Sequence, residues 1–130
     1  MGRCSLLTFL TDRENPNDRD VAYLRSELSC TNGYRKTVAE LHRPDIKLIV
    51  RPYPCSPSTP ERQLFFHDIT TGNAITTLAL GGFMNINVQQ LMLCRHRVRL
   101  DYPYLQLIAS KTPSGQIEFF AMELIDVVSN

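Results

Sequence analysis

Residues 94–100, CRHRVRL, carry an arginine at every second position, Arg95, Arg97 and Arg99, interleaved with Cys94, His96, Val98 and Leu100. In an extended chain, side chains two apart project from one face about 7 Å from each other. That repeat is near the spacing of successive phosphates on a single nucleic-acid strand, and a guanidinium grips phosphate through a planar, permanently charged fork. Tyr102, Tyr104 and Phe119 offer rings on which bases would stack. Arginine mixed with aromatic residues is also the composition enriched at protein interfaces. A third reading leaves the row idle, in water or paired with Glu118, Glu123 or Asp126, each exposed pair contributing about 0–1 kcal/mol.

Other chemistry finds less support. Cys94 and His96 are two apart, so in a strand they share a face about 7 Å apart, beyond the hydrogen-bond reach that nucleophilic catalysis needs. His67 and Asp68 are adjacent and would point to opposite faces, and His42 stands before Arg43-Pro44 at an element end. Gly81-Gly82 lacks the glycine spacing, the lysine and the following helix of a phosphate loop. Cysteines 4, 30, 55 and 94 include no C-x-x-C and no Cys/His pair at ligand spacing, so neither metal nor cofactor is expected. With no secretory leader read at the N-terminus, free thiols in the cytosol or nucleus are the expectation. No apolar run approaches the roughly 20 residues of a membrane span.

Residues 51–57, RPYPCSP, match R-x-x-P-x-x-P, in which Arg51 would meet an acidic pocket while Pro54 and Pro57 fill aromatic grooves. The plainer reading is a proline-rich loop over 52–60 that cannot join a sheet ladder.

With 130 residues, 43% hydrophobic and 21% charged, the chain is expected to form one domain with a core of its own. Its 14 basic and 13 acidic residues nearly cancel, which argues against binding through bulk charge and confines any electrostatic function to local clusters.

The elements that must position the arginines are read from periodicity. Residues 4–11 suggest a strand. Val21, Leu24 and Leu28 mark an amphipathic helix over about 19–31, stopped by Asn32-Gly33. Residues 34–43 fit helix or strand, and IKLIVRPY a strand. Short strands with turn signals then follow at 63–69, 74–80, 83–88, 91–100, 105–110 and 116–126. The implied fold is α+β: a mainly antiparallel sheet, or a partly open barrel or sandwich, with one or two covering helices.

Four-residue loops at 101–104 and 112–115 would pair residue 100 with 105 and 111 with 116. One face would then hold Val98, Leu100, Leu105, Leu107, Ala109, Phe120, Met122 and Leu124 as core. The other would present Arg95, Arg97, Arg99, Ile108 and Phe119 as the working surface. The surplus apolar run IEFFAMELIDVV favours a subunit contact. The chain is therefore expected to act by binding rather than catalysis, as a homodimer or with another protein. The alternative is RNA or single-stranded nucleic acid on the same arginines.

Overall fold

The computed structural model describes residues 2–52, 61–79 and 85–129. The first strand, β1 (Gly2–Ser5), gives way at once to helix α1 (Leu6–Thr11). The Ser5 hydroxyl caps that helix by accepting from the Thr8 amide at 3.1 Å. Leu6 and Leu7 are both buried. Two consecutive buried side chains cannot lie on one face of a half-covered strand, which is why the strand expected over 4–11 splits.

Helix α2 (Asp18–Ser29) is where the periodicity placed it, with Val21, Leu24 and Leu28 buried and a reciprocal Asn17–Asp20 capping box at its start. Residues 31–41 resolve to a helix, α3 (Thr31–Leu41). Asn32-Gly33 does not stop α2 but opens α3, because the second helix begins directly over the end of the first. A Cβ on Gly33 would stand 2.2 Å from the Glu27 carbonyl oxygen, so only glycine fits this crossing.

Two antiparallel sheets follow. One has the order β1-β7-β2-β3, with β2 Ile46–Val50, β3 Arg62–Leu64 and β7 Ile125–Ser129. The other has the order β4-β5-β6, with β4 Phe66–Asn73, β5 Gln106–Lys111 and β6 Ile117–Ala121. The chain passes between them at Phe65 and again at a short 3-10 turn, Met122–Leu124. The α+β, mainly antiparallel architecture expected from the sequence is what forms. Among the described residues the strands form no closed barrel and the helices number four, the last being α4 (Val88–His96).

Helices α1 to α3 and both sheets bury one apolar cluster, including Leu6, Val21, Leu48, Ile108, Ile125 and Val127. A second cluster forms where 74–79 and 86–100 fold back on the sheet, setting Ala74, Val88, Met92, Val98 and Leu100 against Leu107 and Ala121. Strand β5 is thus covered on both faces, Ile108 facing one cluster and Leu107 the other.

Several expectations are corrected here. Residues 91–100 are not a strand: α4 occupies 88–96, begun by an Asn87–Gln90 capping box. Residues 70–73 are strand rather than turn. Residues 74–76 are turn rather than strand, held by Asn73 Oδ1 accepting from the Ile75 and Thr76 amides at 2.9 and 3.1 Å. Strand β5 pairs with β4 and β6, not with 95–100. Lys111 faces Ile117 and Ile108 faces Phe120, one residue out from the expected register, because the connection has five residues closed by Gly115 at φ +91°. Within the apolar run, β6, the 3-10 turn and β7 cross from one sheet to the other, burying Phe120, Ala121, Met122, Ile125 and Val127 inside the chain.

Replacing Gly33 with Ala sets the helical preference for alanine, worth about 1 kcal/mol, against overlap with an immovable carbonyl. Overlap should win, with a net loss of about 1–3 kcal/mol. Urea denaturation of G33A checks this, and equal or greater stability would contradict the packing described.

Candidate functional site

The arginine row lies at the end of α4 and along the segment after it. Arg95 is in the last turn, beside the helix C-terminus where a cation is favoured. Arg97 is the C-cap, in the left-handed region at φ 56°, with the Val98 amide turned back to the Met92 carbonyl at 2.9 Å. From there the chain is extended, so Val98 and Leu100 are buried in the second cluster while Arg97 and Arg99 face out. All three arginines are exposed. The alternation read from the sequence is real over 97–100, though no ladder produces it.

The acids that would neutralise the row are engaged elsewhere. Glu118 takes both guanidinium nitrogens of Arg62 at 2.6 and 3.1 Å. Asp126 holds Arg3 at 2.9 Å and Arg51 at 3.4 Å. Glu123 binds backbone. Among the described residues none of Arg95, Arg97 and Arg99 forms an ion pair. Arg51 also donates to the Glu123 carbonyl, so it is tied to the fold, while Pro54 and Pro57 lie outside the described residues. Ile108 is fully buried and is no part of an exposed surface. Phe119 is half-buried against the second cluster. Phe119 was assigned to the working surface by a register that the five-residue turn displaces, and Ile108 by a pairing of β5 with 95–100 that β4 replaces.

Three residues beyond Arg99 the chain reaches a pair of tyrosines. The Tyr102 and Tyr104 rings meet edge to face, 6.2 Å apart at 86°. The Arg25 guanidinium from α2 lies 5.7 Å from the centre of the Tyr104 ring. The Pro103 carbonyl accepts from Ala74 at 3.0 Å, and the Ala74 carbonyl accepts from Gln89 at 2.9 Å. The tyrosine turn, the 74–79 segment and the start of α4 are therefore stitched together. Burial raises both phenols above their usual range, with Asp18 nearby adding to it.

Glu123 fixes this turn. Its two carboxylate oxygens accept from the Asp101 and Tyr102 amides, each at 2.9 Å. Burial pushes its pKa upward while the two amides hold it down, and burial wins. His96 shifts the opposite way, below its usual value, through burial and then the charge of Arg95. Both effects favour the neutral imidazole, and the permanent positive charge of the site is carried by the arginines. The sequence reading missed Glu123 and Arg25 as site residues. The signal for Glu123 was there, as the lone acid in FFAMELI.

Among the described residues no three His, Cys, Asp or Glu side chains gather as a metal site, and no helix is long and apolar enough to cross a membrane. Cys4, Cys30 and Cys94 are free thiols.

Because the folded-state value of Glu123 lies above its ordinary 4.5, the folded protein takes up its proton more readily than the unfolded chain. Its contribution to stability is therefore full below that value and is lost as pH rises through the raised one. Urea stability of wild type minus that of Glu123→Gln should fall with rising pH across this window. A difference flat in pH would show that the carboxylate is not held as described.

No protein-family model matches the chain, and no curated protein does. Solved structures do match in fold. One is a Drosophila Argonaute PAZ domain in complex with 3′-end 2′-O-methylated RNA. It superposes with a TM-score of 0.68 at 13% identity, over 96% of this chain and 98% of that one. Another is the Drosophila Argonaute 2 PAZ domain, described for its recognition of nucleic-acid 3′ ends. Its TM-score is 0.64 at 12% identity, over 96% of this chain and 94% of that one. At this identity the likeness is one of fold.

Proposed function

We propose that the chain is a binding module for single-stranded RNA and takes the 3′ end of the strand. Its contacts are the row Arg95, Arg97 and Arg99 and the adjoining tyrosines 102 and 104. The observation that carries this reading is the exposed arginine row, without an ion pair among the described residues, beside an aromatic turn, on a fold shared with two domains described with nucleic-acid 3′ ends. Guanidinium groups take phosphates through charge-assisted, often bidentate, hydrogen bonds. The tyrosine rings offer faces for stacking, worth about 1–3 kcal/mol per base. Glu123 acts through backbone amides to hold the tyrosine turn in shape, and the neutral form favoured at His96 adds no charge of its own. The reading requires no bond-making step and no cofactor. It also fits the cytosolic or nuclear setting expected from the free thiols.

The strained backbone at Arg97 adds support. Helices commonly end with glycine in this conformation, and a side chain there costs about 1–2 kcal/mol. An arginine in that place earns its keep by where it puts its charge. The homodimer expected from the sequence loses its two motives, because Ile108 is buried and the apolar run 117–128 is largely consumed within the chain.

Fluorescence polarisation with end-labelled single-stranded RNA at 50 and 200 mM salt tests the reading. If three phosphates are held, affinity should fall about 10–50-fold across that range, and R95A/R97A/R99A should lose most of the slope. A circular RNA of the same sequence should bind far more weakly than the linear form. Equal affinity for the two removes the 3′ end from the proposal, and no binding at low salt removes the proposal itself.

Arg97→Gly separates function from fold. It should gain about 0.5–1 kcal/mol of stability by relieving the left-handed cap while weakening RNA binding. An R97G protein that binds RNA as well as wild type would take Arg97 out of the site.

A further inference from the structure

Away from the arginine row, helices α1, α2 and α3 border a cavity of about 710 Å³. Its floor is apolar, made by Phe9 and Leu10 of α1 and Leu24 of α2, with Tyr23 standing 68% exposed at the rim. Three cations and three acids line it, and they are not equivalent. Each acid is already used by the fold. Asp20 closes the α2 capping box by accepting from the Asn17 amide at 3.1 Å. Glu27 accepts from the Tyr23 hydroxyl, and Glu40 pairs with Arg43 at 3.1 Å. Arg13, Arg19 and Lys36 are exposed and form no ion pair among the described residues. The groove therefore offers unspent positive charge around an apolar floor.

We infer that this groove docks an acidic segment of a partner protein that carries a bulky apolar anchor. The anchor would rest on Phe9, Leu10 and Leu24 against Tyr23, a residue type enriched where interfaces concentrate their energy. Its flanking carboxylates would meet Arg13, Arg19 and Lys36. The interleaved acids select a peptide over nucleic acid. A continuous phosphodiester would have to pass Asp20, Glu27 and Glu40, whereas a peptide places isolated carboxylates and lays apolar side chains between them. The open, three-helix rim also differs from the enclosed sites, with few convergent polar groups, that take small molecules.

Helical geometry keeps this groove apart from the proposed RNA site. At about 100° per residue, positions 20, 23, 24 and 27 of α2 form one stripe. Asp18, Arg25 and Ser29 fall on the other side, where Arg25 meets Tyr104.

Selection of a random displayed peptide library on the full chain tests the inference, with a synthetic copy of the selected peptide then measured by fluorescence polarisation. Selected peptides should be acidic around a Leu, Phe or Trp. Their affinity should fall about tenfold or more in R13E/R19E/K36E, and also in Tyr23→Ala, which leaves the charges in place. Single-stranded RNA binding should be unchanged in both variants. The inference is overturned if no peptide is selected, if the selected peptides lack acids, or if their binding survives charge reversal. Loss of RNA binding on that reversal would instead assign these cations to nucleic acid. Circular dichroism confirms that each variant is folded, and because all four side chains are exposed their replacement spares the core.

Discussion

Strand β5 is apolar on both faces, and the rest of the structure follows from covering it. Ile108, fully buried, needs the helices and the first sheet on one side. Leu107, nearly as buried, needs something on the other. Within this chain the second cover is the segment 88–100, whose Val88, Met92, Val98 and Leu100 close over Leu107 and Ala121. Burying a residue such as leucine or valine contributes about 1.5–3 kcal/mol. The second cluster is therefore a substantial part of the fold, and it fixes the end of α4. Since Val98 and Leu100 turn inward, Arg97 and Arg99 must turn outward. The cationic edge is a geometric consequence of covering the strand.

Electrostatics then decide whether that edge is spent. With 13 acidic side chains against 14 lysines and arginines, the chain has enough carboxylates to neutralise every arginine. The fold instead commits the nearby acids to other partners. Asp126 and Glu61 bind Arg3, Glu118 binds Arg62, and Glu123 binds amides. Of these, Glu123 matters most for the tyrosine turn. A half-buried carboxylate is costly to leave unsatisfied, so its two amide hydrogen bonds lock the shape of 101–102, and with it the placement of Tyr102.

What was legible in the sequence tracks how local the deciding physics is. Helix α2 was readable because its buried stripe and its cap lie within one stretch of chain. The arginine row was readable as an exposed feature because Val98 and Leu100 alternate with it. Helix α4 was not, although its Asn87…Gln90 capping box was present. Its stripe is weak, with Leu93 51% exposed while Val88 and Met92 are buried, so alternation from 91 to 99 looked like a strand. Asn32-Gly33 resembles a stop signal, and only the approach of the Glu27 carbonyl shows why glycine is there. Ile108 was misplaced because β5 pairs with β4 and β6 and is covered on both faces, and Phe119 by one residue of loop length, because a slip of one exchanges the faces of a strand. That length is set in the turn that Gly115 closes.

Helix α2 stands between the two surfaces that carry unspent charge, and its packing bears on whether they can influence each other. Its buried stripe, Val21, Leu24 and Leu28, lies between the groove side and the side that meets Tyr104. Leu24 belongs to both the core and the groove floor. On the opposite flank, Gln106 reaches from β5 to the Arg25 carbonyl at 3.2 Å and to Ser29 at 3.3 Å. These are long contacts, and the amide oxygen of Gln106 is buried with no partner among the described residues. The polar tether on that flank is thus weaker than the apolar packing that seats the helix. Occupation of the groove would press on a helix held by three buried side chains. Any displacement that reached Tyr104 would first have to disturb that packing, where interiors yield little. The same rigidity that keeps Arg25 over the Tyr104 ring therefore favours two surfaces that work side by side without strong coupling.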